Sequence, residues 1–428
     1  MSAVTVERVP LFSSLAIRNY RLFFLGGFVS NIGTWMARVA QDWLVLTVLT
    51  QNSAIALGIV TGLQFLPTAV LAPWAGTFAD RFPKRKLLMV TQFGLAVTGL
   101  ALAVLVLGGW VTLWQVYLLA MLQGVAAAFD TPARQAFAPE MVPRHLIANS
   151  VGLNTTSFHA ARLVGPAVAG LTIAWWGVGP ALLVNALSFV AVLVALAAMR
   201  PEELSRPPVV PSGRGGVLEG IRYVRGRPDI MLLLFVVFML GTFGLNFQLT
   251  NSLMATAAFH VGPEQFGLMG TVLALGSLSA GLLAARRTQI RLRLILSALA
   301  GFTLATALLA VAPSYTWYVL LLVPTGLCAL TVMTAANTSV QMAVDPVMRG
   351  RVMALYMAIF LGGTPLGSPL IGWIGDAWGP RWTIAIGSIA CGLTVLVAGL
   401  YLLRRNGWDW PWRRSADEDL LEVPDAAR

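Results

Sequence analysis

Long apolar runs alternate with short polar segments along this 428-residue chain. A helix needs about 20 apolar residues to cross the ~30 Å hydrocarbon core of a bilayer, and a chain of this length holds about a dozen such runs with short connections. The pattern predicts spans over 22–50 and 54–78, a third from 87, a fourth over 112–134 and a fifth that includes 159–170. Further apolar runs follow an interruption at 200–227. In that interruption Pro201, Pro207, Pro208 and Pro211 precede Gly213, Gly215 and Gly216, which is the composition of a linker. Val217, Leu218, Ile221 and Val224 then recur at helical spacing with Arg222 and Arg225 among them, predicting a basic amphipathic helix at the inner membrane surface that tethers two halves. The expected organisation is an N-terminal segment (1–21), a six-helix bundle (22–199), a linker (200–228), a second six-helix bundle (229–403) and a tail (404–428). The first twenty residues lack a basic region followed at once by an apolar core and a small-residue cleavage site, so no cleaved signal peptide is expected.

Composition agrees: 57% of residues are hydrophobic and 11% charged, against roughly 25% charged in a soluble domain. Mean hydropathy is +0.76. A net charge of +11 would raise nucleic acid as a partner in a soluble protein, but the placement of the charges points to lipid instead. Of 29 Lys and Arg, all but Arg38, Arg162 and Arg381 fall on one side of a twelve-span arrangement. Such asymmetry predicts that both termini face the cytoplasm, and no nucleic-acid partner is expected.

Two of these exceptions stand inside spans. Arg38 and Asp42 lie one helical turn apart on one face of the first span, and Arg162 is the only charge in the fifth. Each costs about 2.5–3.5 kcal/mol at a helix centre on insertion scales, so such residues face the bundle interior. Burial raises the pKa of an aspartate and a neighbouring arginine lowers it, so near-balance of the two would let Asp42 load and release a proton. A static ion pair between helices reads the same residues equally simply. Arg162 could neutralise Asp42 or attract an anionic substrate, whereas His159 reads as a packing residue.

Between the second and third spans lies GTFADRFPKRK at 76–86. Its Gly76, Asp80, Arg81, Lys84 and Arg85 resemble the loop at that place in major facilitator superfamily transporters, with Pro83 where a glycine is usual. The resemblance implies a cytoplasmic gating motif in which Asp80 faces the start of the eleventh span, beside Arg349 and Arg351, and latches the cytoplasmic side shut. The fourth span keeps the Gln123-Gly124 pair of the superfamily, but its usual arginine is Ala120, which shifts any coupling role to Arg38, Asp42 and Arg162. FDTPARQAFAPEMVPRHLIANSVGLN, following that span, resembles the branch containing bacterial siderophore exporters of the enterobactin type and drug efflux permeases. Asp130 and Arg134 there read as a pair that fixes the loop or takes part in gating, with Pro132 starting or ending a helix. Gly165, Pro166 and Gly170 resemble the glycine-proline motif of exporters and predict a tight, pliable helix seam, although Ala161 and Ala169 replace two expected glycines.

The second half repeats the first. GTFADR at 76–81 aligns with GLLAAR at 281–286, while Pro143 and Pro166 align with Pro346 and Pro369. The copies differ, since Ala285 stands where Asp80 stands in the first. Asn246, Gln248, Asn251, Asn337 and Gln341 either line a cavity or bond across helices. Cys328 and Cys391 read as buried small hydrophobes, and Trp408, Trp410 and Trp412 as interface residues of the tail. No GxxxxGK[ST] loop occurs, and no acid, base and nucleophile set or metal-ligand cluster stands out among the spans, so neither an ATP-driven pump nor an enzyme is expected.

These readings converge on an all-α integral membrane protein with twelve transmembrane helices in two pseudo-symmetric six-helix bundles. The resemblance implies a secondary transporter, monomeric and without cofactor or metal, exporting a lipophilic or amphipathic small molecule in exchange for protons. An importer of a small nutrient and a membrane receptor or scaffold are the alternatives.

Overall fold

The computed structural model describes residues 10, 12–205, 216–285, 292–345 and 348–406. Within these the chain is helical: α1 Arg18–Trp43, α2 Ala54–Arg81, α3 Lys84–Leu107, α4 Leu113–Phe137, α5 Ile147–Trp176, α6 Val178–Ala197, α7 Gly216–Arg225, α8 Pro228–Met239, α9 Phe247–Leu253, α10 Pro263–Ala285, α11 Leu292–Ala310, α12 Tyr315–Ala343, α13 Arg349–Trp378 and α14 Pro380–Asn406. α8 and α9 belong to one run, Pro228–Ala258, interrupted by wide π turns at Leu240–Gly244 and Met254–Ala258. Among the described residues ten helices are long and apolar enough to cross a membrane. α1 and α5, with 26 and 30 residues, are also long enough, but they carry Arg38, Asp42 and Arg162 and a denser set of polar groups.

Local detail supports a duplicated plan. α5 ends and α6 begins at Gly177 (φ +84°), and α13 ends and α14 begins at Gly379 (φ +97°), an offset of 202. Both positions need the left-handed backbone that glycine adopts without a Cβ clash. Pro166 and Pro369 lie inside α5 and α13, and the α1 and α8–α9 runs both end in π turns, Leu44–Leu49 and Met254–Ala258.

By packing, the chain divides into two compact units, Met1–Gln41 with Val70–Ser212, and Asp42–Ala69 with Gly213–Arg428. In the first unit α1 lies on α6 through small residues: a Cβ on Gly26 would sit 2.9 Å from that of Ala195, and one on Gly33 would meet Ser188. Lipid is as apolar as leucine, so close backbone approach and van der Waals contact, rather than burial from water, hold such helices together. Near one end, Tyr20, Phe23, Phe137, Met141 and Leu196 form a buried cluster, with the Phe23 and Phe137 rings edge to face at 5.7 Å. In the second unit α10 and α12 approach reciprocally, Gly276 against the Val323 carbonyl and Gly326 against the Leu273 carbonyl. The amphipathic helix α7 packs on α13, where Gly220 abuts the Arg351 backbone and Glu219 pairs with Arg351.

The outer surface is apolar in both units. Exposed tryptophans cluster at helix ends: Trp110, Trp114, Trp175 and Trp176 in the first unit, Trp317, Trp378 and Trp382 in the second. Amphipathic indole rings collect at the headgroup level of a bilayer, so these form the aromatic belt of each unit. Trp408, Trp410 and Trp412 lie outside the described residues, as do Pro207, Pro208, Pro211, Gly213, Gly215, Arg286 and Pro346.

One expectation is corrected. Asp130 and Arg134 do not lie in a loop, because α4 continues through Pro132 to Phe137. Burial of Asp130 among polar groups of α3 holds that last turn in place despite the proline.

Candidate functional site

On α1, Trp35, Arg38 and Asp42 follow one another at spacings of three and four, which stacks them along one face. In the first unit the Arg38 guanidinium lies 4.8 Å from the Trp35 ring centre, and the Arg162 guanidinium, from α5, lies 5.4 Å from the same centre. A cation over an indole gains about 0.5–2 kcal/mol depending on its desolvation, and both arginines are half-buried. The exporter-type glycine makes the arrangement possible: a Cβ on Gly165 would fall 2.5 Å from the Trp35 Cβ and 3.1 Å from the Ile32 carbonyl. Pro166 and Gly170 are buried beside it, as are the substituted Ala161 and Ala169, so the seam tolerates alanine at those two places. Phe158 packs edge to face on Trp35 at 5.8 Å, and His159 packs against Phe158.

In the second unit Asp42 is 1% exposed, and its Oδ1 accepts a 3.1 Å hydrogen bond from Gln248 Nε2 on α9. Gln248 directly follows the break in its span. Asn246 fills that break, donating to the Thr242 carbonyl at 2.7 Å and accepting from Ser368 Oγ of α13 at 2.8 Å. Gly363 and Gly367 of α13 lie against Thr242, leaving no room for side chains there. Tyr318 of α12 donates to Asn251 Oδ1 at 2.8 Å, and Gln341 donates to Asn337 along α12 at 2.6 Å. Asn246 and Asn251 therefore bond across helices, as buried polar groups in a bilayer must find partners.

The motif between α2 and α3 works partly inside the first unit. Lys84 pairs with Glu140 at 2.7 Å, with both side chains largely buried. Arg85 donates from Nε to the Leu196 carbonyl at 2.7 Å and from Nη2 to the Ala197 carbonyl at 3.0 Å, closing the end of α6 where the helix dipole is negative. Arg81 is exposed at the last position of α2, and around Gly76 there is open space. The Asp80 side chain lies outside the described residues. Asp130 accepts from Thr91 Oγ1 at 2.9 Å, Gln92 Nε2 at 2.7 Å and Arg134 Nε at 3.0 Å, and the Arg134 guanidinium lies 5.7 Å from the Phe23 ring centre.

Sequence reasoning overlooked Trp35, Glu140 and Asp376. Asp376 stands near the end of α13, where its carboxylate accepts from Ser53 Oγ at 3.0 Å and from the Ala54 and Ile55 amides at 2.6 and 3.1 Å. It is the sole acid in α13, a signal that was available.

The chain matches the model of the transmembrane secretion effector family over residues 10–418. It belongs to that family. The family lies within the major facilitator superfamily, so the protein is a multi-pass membrane transporter and not an enzyme. The transporter is 26% identical to the staphyloferrin A transporter of Staphylococcus aureus, over 86% of its own chain and 93% of that protein. It is 28% identical to the multidrug efflux pump Tap of Mycobacterium tuberculosis, covering 90% and 92%, and 22% identical to macrolide efflux protein A of Streptococcus pyogenes, covering 90% and 98%. Among solved structures, a bacterial homologue of the human lysosomal transporter Spinster superposes with a TM-score of 0.72 at 14% identity, covering 92% of this chain and 98% of that one. The D-xylose-proton symporter gives 0.67 at 13% identity, covering 90% and 97%. These structural likenesses establish the major facilitator fold, while the relatives connect the transporter to siderophore and drug efflux proteins.

Proposed function

We propose that the transporter exports a lipophilic or amphipathic small molecule across the bacterial cytoplasmic membrane by alternating access, in exchange for protons, with both termini cytoplasmic. Asp42 is the exchangeable carboxylate, and Arg38 and Arg162 are the other two coupling residues. The observation that carries this reading is the burial of Asp42 in a membrane helix with a neutral amide donor, Gln248, on its Oδ1. An amide donates to a carboxylate and to the carbonyl oxygen of a carboxylic acid alike, so gaining or losing a proton does not require this bond to break. A buried ionisable group within a span is costly to keep without such a purpose. Export is favoured by the similarity to the multidrug efflux pump Tap and macrolide efflux protein A.

The test is transport by Asp42→Asn in everted membrane vesicles under an imposed pH gradient, with ethidium, erythromycin and a ferric siderophore as probes. Proton-driven uptake into the vesicles is expected for the parent and lost in the variant. Undiminished proton-coupled flux through Asp42→Asn sinks the coupling assignment.

A further inference from the structure

The start of α2 is held by a residue distant in sequence. Three donors from successive residues, Ser53 Oγ and the Ala54 and Ile55 amides, converge on the Asp376 carboxylate of α13. Ser53 Oγ in turn accepts from the Ala56 amide at 3.3 Å. These groups satisfy amides that the first turn of a helix otherwise leaves without partners, and they place a negative charge at the positive end of the helix dipole. Asp376 is itself exposed, so water can replace it on those donors and it on theirs. The contact is therefore one that can break and re-form.

The surface behind the carboxylate is equally suited to parting. Gly58 of α2 lies on the Ser368 carbonyl, Gly62 on the Pro369 ring, and Gly372 of α13 on the Ala54 carbonyl. Backbone lies against backbone over this seam, with few long side chains to disengage if the helices separate. The adjoining turn stores strain: Gln51 and Asn52 both adopt left-handed backbone, φ 47° and 69°, where a residue with a Cβ is disfavoured. Packing also divides α2 itself, because 54–69 group with the second unit and 70–81 with the first. An arm of the first sequence repeat, 42–69, thus docks on helices of the second, with the Asp376 carboxylate as its hydrogen-bonded anchor.

We propose that Asp376 is a positioning residue of the transport cycle: it latches the start of α2 to the end of α13, and the outer side opens only when this latch releases. The proposal rests on the alternating-access reading and on the orientation given above, but not on Asp42 or on the identity of the substrate.

The experiment places a reporter on the arm. In full-length protein with Cys328 and Cys391 replaced by alanine, Thr61→Cys introduces a thiol at a buried position of α2. A membrane-impermeant maleimide is then applied to intact cells, and labelling rates are compared. Adding Asp376→Ala is expected to raise the rate several-fold, Ser53→Ala to raise it less, and Asp376→Glu to return it towards that of the parent. Size-exclusion profiles in detergent should be the same for all four proteins. Labelling of Asp376→Ala at the parent rate overturns the latch. Equal acceleration by Ala and Glu with loss of the folded peak also overturns it, since that is the behaviour of a purely structural cap. If labelling occurs from inside-out vesicles and not from intact cells, the outer placement is wrong. Failure of Asp42→Asn to uncouple transport would leave these rates untouched, so the two readings fail separately.

Discussion

Removing the Asp130 carboxylate tests whether α4 is held through its proline by polar contacts. In Asp130→Ala the Thr91 hydroxyl retains the Leu88 carbonyl at 3.1 Å, whereas Gln92 Nε2 and Arg134 Nε lose the acceptors they contact at 2.7 and 3.0 Å. Hydrogen bonds to a charged group are worth about 1.5–3 kcal/mol each, so two lost bonds amount to about 3–6 kcal/mol. Arg134 is 23% exposed at its side chain, and water recovers part of its share. A net loss of about 3 kcal/mol remains, equivalent to a fall of about 6–12 °C in Tm if the first unit behaves as a domain of 150–250 residues. Asp130→Asn keeps an acceptor for Gln92 but not the charge facing Arg134, and is expected to lose about half as much. The assay is thermal unfolding in detergent followed by circular dichroism at 222 nm, with Arg134→Ala and the double variant completing a cycle. Coupling between the two sites should exceed about 1 kcal/mol, because residues in direct contact do not behave additively. If Asp130→Ala melts within about 1 °C of the parent, or the cycle closes with no coupling, α4 is held by apolar packing alone and the argument is wrong.

Other variants follow from the same geometry. Lys84→Ala leaves Glu140 buried without its cation and should destabilise by about 3–5 kcal/mol, whereas Lys84→Ala with Glu140→Ala should recover much of that in the same melting assay. Gly165→Leu drives a side chain into Trp35, at a cost of about 1–3 kcal/mol or more, and should lower the yield of folded protein, while Gly152→Ala, which faces open space, should not. Asp80→Asn is expected to leave the melting temperature unchanged but to slow transport and alter thiol accessibility on the cytoplasmic side; full transport with normal accessibility would refute the gating role.

Much of the fold was legible because a bilayer leaves the chain few choices. Backbone groups must be bonded internally, so apolar runs of sufficient length become helices whatever their detailed order. The glycine-proline element was equally legible, since Gly165 serves the close approach that its lack of a Cβ suggests. Asp130 and Arg134 form the pair their spacing suggests but lie in a helix and not a loop, because proline is a strong local signal against helix and the partners on α3 that outweigh it are 38 and 39 residues away. Residues 42–69 show the same limitation on a larger scale. Sequence repeats place them in the first half, but they pack with the second.

The sequence by itself determined the membrane class, the helical character and the family, because hydropathy and motif spacing are properties of neighbouring residues. Only the tertiary structure decided which polar groups meet. Lys84 finds Glu140, Arg162 finds Trp35, Asp42 finds Gln248, and Asp376 finds an amide pair more than 320 residues earlier in the chain. Each of those choices depends on how helices rotate and slide against one another, which small residues at their seams permit and which no local pattern records.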